Sequence, residues 1–239
     1  MQFLDLTLPT LAENLALDEA LLEHADNAPG GVETLRVWHT QAPCVVLGRS
    51  SRVAVEVDQA AAARDAIPIF RRVSGGATVV AGPGCLFYAL ILSLEQRPQL
   101  RMLDQAHHCV MSHMQAALQA WLPRLAWDGT CDLVLDNKKI SGNSVRVARD
   151  WMLYHGTLLL EMDLSRVDRL LKHPPREPEY RRGRSHLDFL DNCHLSSVKV
   201  VEALRLAWKA TASGSTIPTA RLDQLVREKY SQPSWNLQR

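Results

Sequence analysis

The run Cys85-Leu86-Phe87-Tyr88-Ala89-Leu90-Ile91-Leu92-Ser93-Leu94 restricts the fold of this chain more than any other stretch. Its apolar residues do not alternate with polar ones, so a strand built from it cannot leave either face to water. Strands of that kind lie inside a sheet that is covered on both sides. The run is also about half of the roughly 20 apolar residues a membrane-spanning helix needs. A buried central strand is therefore expected, and no membrane segment.

The flanking sequence supplies the covering layers. Residues 1–8 read as an entry strand, and Thr10 with Glu13 makes a capping box ahead of Leu11, Leu15, Leu21 and Leu22, which predicts a helix over 11–25. Asn27-Ala28-Pro29-Gly30-Gly31 breaks it. Strands over 35–38 and 44–47, joined through Pro43, read as a hairpin, followed by an alanine-rich helix over 58–66 and a strand over 69–73. A long amphipathic helix is expected over 103–121, closed by Pro123. The pattern returns to strands over 127–162, with turns at Asp128-Gly129, Asn137 and Gly142. A short helix over 165–171 precedes a proline- and arginine-rich loop over 173–184, expected to be exposed and mobile. Helices over 198–212 and 219–230 lead to a tail, 231–239, with no clear period. Neither an internal repeat nor a separating linker is visible, so residues 1–239 read as one domain.

Composition narrows the partners. The chain has 239 residues, 46% hydrophobic and 22% charged, which is enough for a sizeable core. Its 27 basic and 26 acidic residues give a formal charge of +1, so no global field favours nucleic acid or an anionic membrane. Five scattered cysteines and an N-terminus without a basic and apolar leader pattern point to free thiols in a reducing cytoplasm.

Two stretches carry chemistry. Lys138-Lys139-Ile140-Ser141-Gly142-Asn143-Ser144, with His155-Gly156-Thr157 downstream, sets a lysine among small polar residues at an expected tight turn, where backbone amides and an ammonium can meet an anion. Arg71-Arg72-Val73-Ser74-Gly75-Gly76-Ala77 sets two arginines before glycines that let the backbone approach a ligand. Gly82-Pro83-Gly84 forms a second glycine turn, expected at the same end of a sheet. The phosphate-loop, dinucleotide, C-x-x-C and H-E-x-x-H patterns are absent from the sequence. His107, His108, Cys109 and His113 read as a helix surface with one half-buried pair rather than a metal cluster, and no metal is assigned to side chains. Taken alone, Lys139 could equally be a solvated hairpin lysine, and the arginines edge-strand charges. Their combination suits an acyl-phosphate reaction, which needs amides and cations around a carboxylate and a phosphorus centre at once.

Arg71-Arg72-Val73-Ser74-Gly75-Gly76, Lys139-Ile140-Ser141-Gly142-Asn143 and His155-Gly156-Thr157-Leu158-Leu159 resemble, in order and spacing, the three sequence blocks of the lipoate-protein ligase A family, within the biotin/lipoate ligase superfamily. Asn14-Leu15-Ala16 and Val46-Leu47-Gly48-Arg49 fit as well, and the resemblance spans about residues 1–230. It implies an α+β fold of mixed, mainly antiparallel sheets flanked by helices. The glycine-rich acyl-binding region would be 69–94, the lysine-bearing hairpin 131–162 and the C-terminal helices 198–230, as a short form without the family's C-terminal accessory domain. Such ligases activate lipoate or octanoate with ATP and Mg2+ as the acyl adenylate. They then acylate a lysine in lipoyl domains of 2-oxoacid dehydrogenases or in the glycine-cleavage H protein, some with a separate accessory protein. By the match, Lys139 is catalytic, and Arg72, Ser74, Gly75, Gly76, His155, Gly156 and Thr157 bind the acyl group. Ala77, Thr78, Gly142 and Asn143 face the nucleotide. The chain departs from the family where a third glycine, a His-Asp pair and an asparagine are usual; here stand Ala77, Ala81-Gly82 and Cys85.

Those departures leave two alternatives open. One is ATP-independent octanoyl transfer from acyl carrier protein through Cys131, its pKa lowered by Lys139 or Arg72, with Cys85 a weaker candidate thiol. The other is a non-catalytic acyl- or lipoyl-binding relative. Arg181, Arg182 and Arg184 could steer an acidic acceptor domain, or stand as a solvated loop; a role for them in nucleic-acid binding is the weakest reading.

Overall fold

The computed structural model describes residues 1–27, 30–212 and 216–238, so the expected break at Asn27–Gly31 lies in part outside the described residues. In chain order the strands are β1 (Gln2–Asp5), β2 (Thr34–His39), β3 (Cys44–Leu47), β4 (Ile69–Arg71), β5 (Val79–Ala81), β6 (Cys85–Ser93), β7 (Leu125–Asp128), β8 (Asp132–Leu135), β9 (Lys138–Val147) and β10 (Trp151–Leu159). The helices are α1 (Leu11–Asn27), α2 (Val53–Glu56), α3 (Gln59–Arg64), α4 (Leu103–Leu118), α5 (Ser165–Leu170), α6 (His186–Phe189), α7 (Ser197–Ala207), α8 (Thr219–Leu225) and α9 (Pro233–Asn236). A seven-stranded sheet runs β1-β2-β6-β10-β9-β8-β7, parallel at β1–β2 and antiparallel elsewhere. A smaller sheet runs β4-β3-β5. The architecture is the expected mixed, mainly antiparallel α+β fold.

All nine residues of β6 are buried, and they alternate between two cores. Cys85, Phe87, Ala89 and Ile91 pack with α1 and the small sheet, while Leu86, Tyr88, Leu90 and Leu92 pack with α4 and α7. The central strand is thus covered on both faces, as its unalternated sequence requires. The capping box also forms: Glu13 N donates to Thr10 Oγ1 at 3.2 Å and Thr10 N to Glu13 Oε2 at 2.7 Å.

Three local expectations are corrected. β2 and β3 do not form a hairpin: β2 lies between β1 and β6, and β3 between β4 and β5. Nearly every residue of both strands is buried, so each takes an interior position in its own sheet instead of pairing at an edge. Lys138 to Ser144 is strand rather than turn. The reversal falls at Asp136 and Asn137, whose φ of 50° and 65° suit a tight hairpin turn, and Gly142 lies within β9. The two glycine turns lie at opposite ends of the three-residue β5, not at one end of a sheet. The segment 173–184 is largely exposed, as expected, but it is anchored at Arg181, which is buried, whose Nε donates to Arg184 O and which, like Arg184, lies over the Phe189 ring.

Candidate active site

The α1 side of the large sheet presents Phe87, His155, Thr157 and Ser144, and the small sheet lies across from it. A cavity partly open to solvent remains between them. Leu15, Trp38, Val46 and Phe87 make it apolar, and Trp38 stacks on Phe87 with ring centroids 3.8 Å apart. A second cavity opens beside it, lined by apolar residues such as Leu159, Val167, Leu171 and Phe189 together with Lys172, Arg176, Arg181 and His186. Both share Ala77, Thr78, Val79, Lys139, Gly142 and Thr157. Lys139 therefore stands where two mainly apolar cavities meet, the second of which also carries Lys172, Arg176 and Arg181.

An irregular register puts it there. Leu133 pairs with Ser141 but Val134 with Lys139, so Ile140 is an extra residue on β9. Ile140 packs into the α4 core and Ser141 Oγ accepts from Asn143 Nδ2, so these neighbours share the far face. Strict alternation would have sent Lys139 there too; the bulge turns it to the cavities. Its Nζ lies 2.8 Å from Asp132 Oδ1.

The glycine loop is fixed by its own arginine. Arg72 donates from Nε to Ser74 Oγ at 3.2 Å and from Nη2 to Gly75 O and Ala77 O at 2.5 and 2.9 Å. Burial pushes its pKa down to about 10, with Glu56 opposing. Ser144 Oγ donates to Gly75 O at 2.9 Å. Gly48 must lack a side chain, because a Cβ there would collide with Gly76 O. Ser74 Oγ is joined to His155 Nε2 at 2.5 Å, His155 Nδ1 faces Asp18 Oδ2 at 3.5 Å, and Asp18 Oδ1 pairs with Arg36 at 2.5 Å. Burial lowers the Arg36 pKa and Asp18 counters it. Sequence reasoning missed Asp18 and Arg36. The available signal was Asp18 one turn after Asn14 on the apolar face of α1.

Of the expected site residues, Lys139, Arg72, Ala77, Thr78, Gly142, Asn143, His155, Gly156 and Thr157 line the first cavity, and Ser74, Gly75 and Gly76 form the loop held by Arg72 and Ser144. Asn143 turns its amide away from it: Nδ2 donates to Cys131 O at 2.7 Å, and Oδ1 accepts from the Tyr88 hydroxyl at 2.5 Å. Of the departures from the family pattern, Ala77 lines both cavities, whereas Ala81, Gly82 and Cys85 line neither.

Cys131 is corrected. It lies in the α4 core, lines neither cavity, and donates from Sγ to Asn143 O at 3.1 Å. Its pKa is not lowered but pushed up to about 11, because burial and the Asp132 charge outweigh Lys139. Burial likewise raises Cys85. Arg71 also departs from expectation. Its guanidinium turns from the cavities to Gly48 O and Ser51 O, each at 2.8 Å, and to Trp235 O and Gln238 O at 3.0 and 2.7 Å. The tail that showed no period in sequence thereby anchors the strand leading into the glycine loop. The arginines expected to steer an acceptor are not one exposed patch: Arg181 lines the second cavity, Arg184 Nη1 donates to Asn137 O, and Arg182 is exposed. His107 bonds the Tyr154 hydroxyl at 2.9 Å and His113 stacks on Trp208. Among the described residues no helix is long and apolar enough to cross a membrane.

Comparison with known proteins bears on the fold and the family. The protein named "Probable lipoate-protein ligase A" of Mycoplasma genitalium is 30% identical over 93% of this chain and 68% of its own length. The octanoyltransferase LipM of Geobacillus kaustophilus is 24% identical over 95% of this chain and 94% of its own. The bipartite lipoate protein ligase of Thermoplasma acidophilum, studied with its E2 lipoyl domain, shares the fold at a TM-score of 0.78 and 22% identity, over 100% of this chain and 97% of that one. The pattern of the lipoyl protein ligase A/B catalytic domain matches residues 10–191, which carry both cavities and Lys139, and the chain belongs to that family of enzymes.

Proposed function

We propose that this chain activates lipoate, or octanoate, with ATP as the acyl adenylate and passes the acyl group to a lysine of a lipoyl-type domain. The observation that carries the reading is Lys139 at the junction of two adjoining apolar cavities, the second of which also presents Lys172, Arg176 and Arg181. The acyl chain occupies the first cavity against Trp38 and Phe87, and the nucleotide the second. A carboxylate oxygen attacks the α-phosphorus and pyrophosphate leaves; the acceptor ε-amine then attacks the acyl carbon and AMP leaves. Lys139 bridges carboxylate and α-phosphate and stabilises the charge that develops in both steps. Arg72, Ser74, Gly75, Gly76, His155, Gly156 and Thr157 hold the acyl side, and Ala77, Thr78 and Gly142 the phosphate side.

Magnesium would accompany the triphosphate and rest on its oxygens and water. Of the acidic groups nearby, Asp132 is paired with Lys139, and Glu56 accepts from Thr78 and Ser51. The similarity to LipM keeps octanoyl a candidate acyl group. A thioester on Cys131 is disfavoured by its raised pKa and its place outside both cavities. Residues 1–239 act as one catalytic unit in the cytoplasm, with a lipoyl domain as acceptor and room for a separate accessory protein, as the bipartite archaeal ligase suggests.

The test is to incubate the pure chain with lipoate, octanoate or octanoyl carrier protein, with and without ATP, and measure acyl adenylate and acyl-enzyme by mass. ATP-dependent adenylate, lost in Lys139→Ala with an unchanged melting temperature, is expected. Normal turnover in that variant, or acyl-enzyme formed without ATP, would refute the reading.

A further inference from the structure

Asp132 is held from two sides. Its Oδ1 pairs with Lys139 Nζ, and its Oδ2 accepts the Tyr180 hydroxyl at 2.8 Å. The residue is buried. Burial and the Asp132 charge drive the Tyr180 phenol far above its usual pKa, so the hydroxyl stays a donor. Tyr180 sits in a single 3-10 turn, Glu179–Arg181, with its ring 5.1 Å from Phe189. Gly129 lies beneath it, where a Cβ would come within 3.3 Å of Tyr180 Cε1. Arg184 Nη1 donates to Asn137 O at 2.9 Å, and Asp191 N to Lys139 O at 3.1 Å, which ties the same segment to the β8–β9 hairpin twice more. One wall of the second cavity, including Arg181 and Phe189, and the lysine at its mouth thus meet at the Asp132 carboxylate.

We propose that Asp132, clamped by Tyr180, is a positioning residue that holds Lys139 extended over Gly142 at the junction of the two cavities. A free lysine samples many rotamers on its four-carbon stem, whereas a charge already aimed need not reorganise when an anion arrives. The Lys139 side chain keeps 25% exposure, so the pair is shallow enough for an incoming carboxylate or phosphate to share the ammonium. The catalytic consequence rests on the function proposed above; the clamp itself does not.

The test uses the full chain as wild type, Asp132→Asn, Tyr180→Phe and the double variant. In ligand-free protein, acetic anhydride labelling of Lys139, read by peptide mass against Lys138, is expected to rise several-fold in Asp132→Asn and less in Tyr180→Phe. The kcat for acyl adenylate is expected to fall about 10²-fold in Asp132→Asn, with the KM for the acyl acid unchanged. Tyr180→Phe loses less, and the double variant is no worse than Asp132→Asn, because Tyr180 acts through Asp132. Unchanged labelling or unchanged kcat in Asp132→Asn, or losses that multiply in the double variant, would overturn the proposal. Should wild type make no acyl adenylate, the proposed function falls while Lys139 labelling still decides the clamp. Tyr180→Phe keeps the ring and its packing, so the clamp is tested even if Asp132→Asn does not fold.

Discussion

A Cβ on Gly142 would stand 2.8 Å from both Cε and Nζ of Lys139, so the lysine stem occupies the space any other residue at 142 would claim. Those atoms are the far end of a flexible side chain and can move aside without disturbing the sheet. Gly142→Ala is therefore expected to leave the melting temperature nearly unchanged while lowering acyl-adenylate formation about 10²-fold. Pyrophosphate release and a thermal melt, run together, check both halves.

Gly156 presents the opposite case. A Cβ there would collide with Asn143 Oδ1, the acceptor of the Tyr88 hydroxyl, and come within 2.7 Å of Gly142 O. Neither neighbour is a free side-chain end. Gly156→Ala is expected to break the Tyr88–Asn143 bond and cost about 1–3 kcal/mol for the buried group left unpaired. Urea unfolding measures it, and Tyr88→Phe in the Gly156→Ala background should recover part of the loss.

Burial and the Asp132 charge push the Cys131 thiol up to about 11. A group raised on folding contributes stability that is complete below the unfolded pKa and is lost as pH climbs through the folded one. Stability is thus expected to decline between about pH 9 and about pH 11, and Cys131→Ser should flatten that part of the curve. The same variant is expected to keep acyl transfer and show no change in acyl-enzyme mass. Melting temperatures across that range, beside a transfer assay at neutral pH, supply the check.

Asn236 joins the tail to β4. Its Oδ1 accepts from Arg71 N at 3.0 Å and its Nδ2 donates to Tyr230 O at 2.8 Å, all in a buried setting. Asn236→Ala is expected to raise the KM for the acyl acid roughly tenfold, the equivalent of about one lost hydrogen bond. The carbonyls that Arg71 gathers belong to the turn that supports Gly76. An unchanged KM would separate the tail from the acyl site.

What was legible in the sequence was local. An unalternated run declared β6 buried on both faces, and a Thr–Glu pair three apart declared the start of α1, because each signal acts within a few residues. The three blocks also meet: Arg72, Lys139 and His155 line one cavity. The illegible features depend on partners distant in the chain. The bulge at Ile140, which turns Lys139 to the cavities, leaves no mark in composition. Arg36 and Asp18 went unremarked and Arg181 read as part of an exposed loop, because their burial depends on Asn14, His155 and Phe189 for compensation. The separation of β2 from β3 follows from which sheets need them, a tertiary demand that overrides the short connection through Pro43.

Trp235 closes the anchorage of the tail, since its indole N–H donates to Arg71 O at 2.9 Å while Lys229 Nζ lies 4.1 Å from its ring centroid. The chain thereby carries its own optical probe of an interior it does not touch. If an acyl acid displaces the glycine loop as it binds, strain passed through Arg71 should alter the surroundings of this indole, and the emission of wild type minus Trp235→Phe would record it without any label. Binding to the acyl site then becomes measurable in the absence of nucleotide, acceptor or turnover.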